Sequence, residues 1–146
     1  MRTYIISPVK NIPEEQSVFL YRYVQQFEWN RGHVVHFPLR NTKQDDPAGG
    51  INICRTDFWA MFRAGEIHVF YDPTSEEFTF DLGMVFALVE LTKKYRILRW
   101  IIGRKNIILI NPKAVDEQIR KESNEGIRIK RSFARVLSRL DIDSFS

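Results

Sequence analysis

The sequence has few of the residues that form disulfides, metal sites and flexible chains. Cys54 is the only cysteine among 146 residues, which excludes an intramolecular disulfide and a CxxC metal motif. The three histidines, His33, His36 and His68, show neither HExxH nor HxH spacing, so we expect no zinc site and no other metal. Glycine and proline number only 7 and 6, which excludes a collagen-like or low-complexity chain.

Long apolar runs are also missing. The longest, residues 82–89 with Gly83 included, is far shorter than the roughly 20 residues that a membrane span requires. The first residues of the chain lack the apolar stretch of a signal peptide. These absences predict no membrane partner and, with a single cysteine, a reduced cytoplasmic location.

Apolar and aromatic residues are plentiful. They make up 44% and 13% of the chain, with 11 phenylalanines, 5 tyrosines and 3 tryptophans. A chain of this length can bury roughly 68–70% of its unfolded surface in one core. The composition therefore predicts a single globular domain over residues 1–146.

The charge is divided unevenly along the chain. Residues 1–92 hold 8 Lys/Arg and 12 Asp/Glu, a net of −4, whereas residues 93–146 hold 14 and 6, a net of +8. A basic segment can attract phosphates, nucleic acid or acidic lipid. Near the C-terminus, however, the basic residues alternate with apolar ones, which is typical of the solvated side of a packed helix. We therefore expect no nucleic-acid partner.

Short apolar runs alternate with stretches of helical periodicity. We predict strands over residues 3–6, 33–37 and 66–71, and helices over residues 13–29, 52–64 and 82–94. Residues 96–102 and 106–110 are both strand-like, although the first could instead extend the preceding helix, and the pattern leaves this open. Two basic amphipathic helices are predicted near 113–122 and 131–140, around a short alternating piece at 127–129.

This order of elements predicts an α/β fold. It is typical of an open, mostly parallel, flavodoxin-like (Rossmann-like) sheet with helices on both faces and right-handed crossovers. Ligands in such sheets bind outside the carboxyl ends of the strands, here the loops 7–13, 38–51 and 72–81. Helix 82–94 is apolar nearly all round, which predicts burial by the fold or by a partner subunit.

Three polar residues in these segments could carry chemistry. Asp81 is predicted at the start of a helix, where backbone N–H groups stabilise a carboxylate, although a simple N-cap would look the same. Asp57 lies in an otherwise apolar helix and needs a partner unless it faces solvent. Tyr4, in the first strand, has the alternative role of a core aromatic whose hydroxyl is hydrogen-bonded.

The order of several motifs resembles the nucleoside 2-deoxyribosyltransferase superfamily, which includes the 2′-deoxynucleoside 5′-monophosphate N-hydrolases. The resemblance covers roughly residues 3–90, whereas residues 93–146, the basic C-terminal extension, have no clear counterpart. The motifs are Tyr4-Ile5-Ile6-Ser7-Pro8, Pro38-Leu39-Arg40, the Asp-Phe-Trp-Ala-Met-Phe-Arg-Ala of residues 57–64, the Ile-His-Val-Phe of residues 67–70, Pro73-Thr74-Ser75, Phe80-Asp81-Leu82-Gly83 and Ala87-Leu88.

The resemblance implies a two-step N-glycosidase mechanism. A carboxylate attacks the anomeric carbon of a nucleoside or nucleotide, an acid assists departure of the base, and water or a second base then attacks the glycosyl-enzyme. By resemblance, Asp81 has the nucleophile's position, Asp57 that of an aspartate that contacts sugar or base, and Tyr4 that of a tyrosine that orients the nucleophile. Ser75 matches the serine that binds phosphate in the monophosphate hydrolases.

The remaining motif positions imply substrate contacts. They are Ser7, Pro8, Arg40 and Gly83, and the resemblance also implies a homodimer and no cofactor. The sequence departs from the family at the nucleophile, because Asp81 stands where the family has the longer Glu. Glu77 and Thr79 replace loop glycines, and Glu76 and Glu77 add negative charge where a phosphate would approach. A catalytically inactive nucleotide-binding module on the same fold is therefore the alternative.

Overall fold

A computed structural model describes residues 1–125 and 132–145, with side chains as far as residue 140. The described chain forms these elements in order: β1 (Arg2–Ile6), α1 (Glu14–Arg31), β2 (Val34–His36), α2 (Pro38–Asn41), α3 (Ile51–Arg63), β3 (Glu66–Val69), α4 (Glu76–Lys94), α5 (Arg96–Ile102), β4 (Asn106–Leu109), α6 (Pro112–Asn124) and α7 (Ala134–Phe145).

The four strands form one parallel sheet in the order β2-β1-β3-β4, which confirms the predicted fold class. The central strand β1 pairs with β2 on one side and β3 on the other, so that Tyr4 lies between His36 and Ile67. The connections from β1 and from β3 lead in opposite directions across the sheet. Their carboxyl ends therefore meet at the topological switch point, where open sheets of this kind bind ligands.

Successive residues of β1 point into two separate cores. Tyr4 and Ile6 face the larger cluster, which the buried side chains of α3, α4 and α7 complete. Ile5 faces the smaller cluster, which is built mainly from α1 residues such as Leu20 and Val24. Helices thus cover both faces of the sheet, as the sequence predicted.

The start of α4 differs from the prediction. The helix begins at Glu76 rather than near residue 82, because Ser75 acts as its N-cap and accepts a hydrogen bond from the Phe78 N–H at 3.1 Å. Glu76 and Glu77 occupy the first turn, where acidic side chains complement the helix dipole. The expectation that Asp81 starts the helix was wrong, since it lies in the second turn.

The structure also resolves the ambiguous segment after α4. Residues 96–102 form a helix and residues 106–109 the fourth strand, which pairs with β3. The predicted loop at 38–51 contains the short helix α2. The two predicted C-terminal helices are confirmed as α6 and α7, and the predicted piece at 127–129 lies outside the described residues.

The fold buries helix α4 on one side only, so the predicted cover of its other side by a partner subunit stays a prediction. Phe80, Phe86 and Leu91 are 55%, 43% and 42% exposed, respectively. Across residues 1–125 and 132–145, every helix is too short or too polar to cross a bilayer.

Lys105 ties the end of α3 to the start of β4. Its side chain is 3% exposed, and Nζ donates hydrogen bonds of 2.6 Å to the carbonyl oxygens of both Phe62 and Ala64. Carbonyls at the end of a helix lack partners within the helix, so the ammonium group satisfies them. Burial lowers the pKa of Lys105 to about 8.

Replacement of Lys105 by methionine should destabilise the fold by about 2–4 kcal/mol at pH 7, because two buried carbonyls lose their donor. In the parent, the unfolded chain binds more protons than the folded one between about pH 8 and pH 10. The stability of the parent should therefore rise with pH across that range, and that of Lys105→Met should rise less. Urea unfolding at pH 7, 8 and 9.5 measures both effects, and parallel pH profiles for the two proteins would contradict this account.

Candidate functional site

Three residues singled out from the sequence meet on one face of the sheet. Tyr4 comes from β1, Asp57 from α3 and Asp81 from α4, and their exposed fractions are 0%, 5% and 7%. The Tyr4 hydroxyl donates a hydrogen bond to Asp81 Oδ2 at 3.0 Å. Burial, followed by the nearby carboxylates of Asp81 and Asp57, raises the pKa of Tyr4, so this hydroxyl remains a donor at physiological pH.

The ionisation of Asp81 is adjusted by this environment. Burial, together with the nearby carboxylate of Asp57, raises the pKa of Asp81 to about 7. The Tyr4 hydrogen bond acts in the opposite direction because it stabilises the ionised form, and Glu77 adds a smaller increase. Near neutral pH both forms of Asp81 are populated, which is the range in which a carboxyl group can act as nucleophile, acid or base.

Asp57 is held by residues that the sequence analysis did not select. Thr42 Oγ1 donates to Asp57 Oδ1 at 2.8 Å, and His36 Nε2 lies 3.0 Å from Thr42 Oγ1 and 3.4 Å from Asp57 Oδ1. The His36 ring stacks on Tyr4, with centroids 5.4 Å apart and planes 8° apart. His36 is the last residue of β2 and Thr42 follows α2. The available sequence signal was therefore a polar residue at the end of a strand and another in the predicted loop 38–51.

Ser7 and Pro8 follow β1 at the carboxyl edge of the sheet. Both are buried, and Ser7 Oγ has no hydrogen-bond partner among the described residues. Buried hydroxyl groups are usually paired, so an unpaired one at this edge is a candidate contact for a ligand. The substrate-binding role that the resemblance implies for Ser7 stays a prediction.

The Ser75 hydroxyl already forms two hydrogen bonds with residues of its own helix. Its Oγ accepts from the Phe78 N–H and donates to Glu77 Oε2 at 3.0 Å. A phosphate at this position would have to displace a carboxylate. The contacts of Ser75 are therefore those of a helix cap.

Two further predicted substrate-binding residues lie apart from the carboxylates. Arg40 forms a bidentate ion pair with Glu28 of α1, with distances of 2.6 and 3.1 Å, and also donates to the Val35 carbonyl oxygen. Gly83 is exposed on α4, and a Cβ atom added there would meet nothing within 4 Å. The structure thus brings Tyr4 together with the two aspartates but not with Arg40 or Gly83.

The site has a negative field. Burial raises the pKa of the Cys54 thiol, which lies one turn before Asp57 on α3, and the charges of Asp81, Asp57 and Asp46 raise it further. Within residues 1–125 and 132–140, no group of three or more His, Cys, Asp or Glu side chains is arranged to hold a metal ion. The local charge thus favours a neutral or cationic ligand.

No family model, curated protein or solved structure matches the chain. The fold and the site define a class, namely an open parallel α/β domain in which two buried carboxyl groups flank a strand tyrosine.

Proposed function

We propose that the protein is a nucleoside 2-deoxyribosyltransferase-like enzyme that cleaves or transfers an N-glycosidic bond with Asp81 as nucleophile. The observation that carries the proposal is the 3.0 Å hydrogen bond from Tyr4 to Asp81, made between buried side chains beside the buried Asp57. A nucleophilic carboxylate has to be held in one orientation and kept partly ionised. The hydrogen bond supports the first requirement, and a pKa of about 7 supports the second.

The chemistry follows from these groups. Ionised Asp81 attacks the anomeric carbon, the C–N bond breaks, and its electron pair leaves with the base, which takes up a proton from solvent. Water or a second base then attacks the same carbon and releases a proton to solvent, the ester bond to Asp81 breaks to restore its carboxylate, and the sugar leaves with retained configuration. Asp57, fixed by Thr42, is the group that contacts the sugar or the base.

The charge around the site favours a nucleoside over a nucleotide. Ser75 is hydrogen-bonded to Glu77, Glu76 lies beside it in the first turn of α4, and the carboxylates near Cys54 make the field negative. A 5′-phosphate with about two negative charges would be repelled. The expected substrate is therefore an uncharged 2′-deoxynucleoside.

A binding module without turnover is the second candidate. It is favoured by the 7% exposure of Asp81, together with a side chain one methylene shorter than the family's Glu. A carboxylate withdrawn by about 1 Å can lose ~10²-fold in rate when geometry is strict.

One experiment separates these candidates. The protein is incubated with a panel of 2′-deoxynucleosides and their 5′-monophosphates, and free base is measured by chromatography. Release from the nucleosides supports the enzyme. Thermal stabilisation by one compound without release of base supports the binding module. If the protein showed neither base release nor stabilisation, both candidates would be contradicted.

We also propose a homodimer that covers the open side of α4. Phe80 and Leu91 lie on one stripe of this helix with the small residues Gly83 and Ala87 between them, and Trp59 of α3 is 50% exposed. Sedimentation at micromolar concentration should give a dimer. A Leu91→Glu variant should shift it toward monomer, and a strictly monomeric parent would contradict the proposal.

Replacement of Tyr4 by phenylalanine should lower kcat/KM by about 10- to 10²-fold, because a hydrogen bond to a charged group contributes about 1.5–3 kcal/mol. The loss of the donor should also raise the pKa of Asp81, so the acidic limb of the pH–rate profile should move to higher pH. Kinetics from pH 5 to 9 test both effects. A lower rate with an unmoved profile would assign Tyr4 a packing role only.

A further inference from the structure

Helix α5 lies on the outside of the domain. None of its residues is buried, and it packs mainly on α4. Three of its exposed side chains are apolar: Ile97 is 68%, Trp100 86% and Ile101 61% exposed. At 100° per residue these three fall within an arc of about 100°, and Ile102 on the other side packs against the core. The outward face of α5, called the α5 surface below, is therefore apolar at its centre.

The chain segment that carries the α5 surface is basic. Residues 91–115 contain seven Lys or Arg and no Asp or Glu. Lys94 and Arg96 are exposed beside the apolar residues, Arg104 follows the helix, and Arg99 is exposed on the opposite side of α5. Glu90 is the nearest preceding acid in the sequence, and it pairs with Lys93 at 3.8 Å. The surface combines an apolar centre with cations of one sign.

We propose that the α5 surface binds peripherally to an anionic lipid bilayer. Trp100, Ile97 and Ile101 would enter the boundary between headgroups and acyl chains, and the surrounding cations would contact lipid phosphates. Tryptophan is well suited to this boundary because its ring is amphipathic. The sequence-based expectation of no membrane partner rested on the lack of a spanning segment, which peripheral binding does not require.

The same residues fit other occupants less well. Two aliphatic side chains at the centre offer neither stacking nor hydrogen bonds to nucleobases, which nucleic-acid surfaces supply. A second copy placed by a two-fold axis would bring Lys94 and Arg96 against the same cations. An anionic bilayer matches both the apolar centre and the basic border.

The test uses the full chain with Trp29 and Trp59 changed to phenylalanine, so that Trp100 is the only tryptophan and can be excited selectively at the long-wavelength edge. Vesicles of phosphatidylglycerol and phosphatidylcholine, and of phosphatidylcholine alone, are compared at 50 and 500 mM salt. We expect co-sedimentation and a blue shift of Trp100 emission with the anionic vesicles only, weakened by salt.

Matched variants of the parent chain separate charge from apolar insertion. Lys94→Glu/Arg96→Glu should weaken vesicle binding tenfold or more, since each cation near an anionic surface contributes about fivefold. Trp100→Gln/Ile101→Gln should weaken it similarly. Trp29→Gln, which removes a comparably exposed tryptophan (80%) from α1, should leave it unchanged. Circular dichroism checks the fold of each variant. The salt dependence and the Trp100 fluorescence are measured without these variants, so they test the proposal even if a variant fails to fold.

Four results would overturn the proposal. The first is no binding to anionic vesicles at low salt, and the second is binding that the apolar substitutions leave unchanged. The third is burial of Trp100 as the protein concentration rises without vesicles, and the fourth is a shift of Trp100 emission with a single-stranded oligonucleotide but not with vesicles. The third would assign the surface to a second copy and the fourth to nucleic acid.

Discussion

Replacing Asp81 with alanine should lower the rate of base release from a 2′-deoxynucleoside by about 10³-fold or more. The variant lacks the atom that bonds to the anomeric carbon, and removal of a nucleophile from a covalent mechanism leaves only the background supplied by the rest of the site. Tyr4 would keep its place in the core but would have no carboxylate to orient. Chromatography of free base over a range of enzyme concentrations measures the effect.

Glu76→Gln is the matched control for this prediction. Glu76 lies five residues before Asp81 on the same helix and carries the same charge, but its side chain is exposed. Its replacement should leave base release within about threefold of the parent. If Glu76→Gln lost as much activity as Asp81→Ala, the nucleophile would lie in the first turn of α4. If Asp81→Ala kept full activity, Asp81 would not be the nucleophile.

Replacing Asp81 with asparagine should stabilise the folded state by up to about 4 kcal/mol above pH 7. The pKa of Asp81 is about 7 in the folded protein and ~3.9 in the unfolded chain, and each unit corresponds to 1.36 kcal/mol. Between these values the folded state binds more protons, so the parent loses stability as pH rises from about 4 to 7. Asparagine cannot ionise, and its carbonyl oxygen can still accept the hydrogen bond from Tyr4.

Urea unfolding of the parent and of Asp81→Asn at pH 4.5, 6 and 8 tests this. The difference between the two proteins should be small at pH 4.5 and should reach its full value at pH 8. A constant difference across this range would mean that Asp81 ionises as freely in the fold as in the unfolded chain. A carboxylate that lowers stability at neutral pH is typical of a functional site.

The sequence predicted the fold well where its signals are local. Alternation of short apolar runs with helical periodicity was enough for the parallel α/β class. The start of α4 was misplaced even though Ser75, Glu76 and Glu77 form a recognisable cap and first turn, because the residues after Pro73 were read as loop. Residues 96–102 are rich in isoleucine, so periodicity could not distinguish a strand from α5, whose contacts are with α4.

The candidate site was predictable in part. The resemblance selected Tyr4, Asp57 and Asp81, which the fold brings together from positions up to 77 residues apart. It did not select His36, because its stacking on Tyr4 depends on the register between β1 and β2. Arg40 illustrates the opposite case, since pairing with Glu28 on α1 removes it from the site and motif position alone cannot reveal such a partner.

The proposal that Asp81 forms a covalent glycosyl-enzyme is tested most directly by trapping it. A 2′-deoxy-2′-fluoro nucleoside slows both steps because fluorine destabilises the oxocarbenium-like transition state, and a good leaving base restores the first step. Intact mass spectrometry should show one added fluorodeoxyribosyl group, mapped to a peptide that contains Asp81 and absent from Asp81→Ala. Base release without an adduct, an adduct at another residue, or no reaction with any deoxynucleoside would contradict the account.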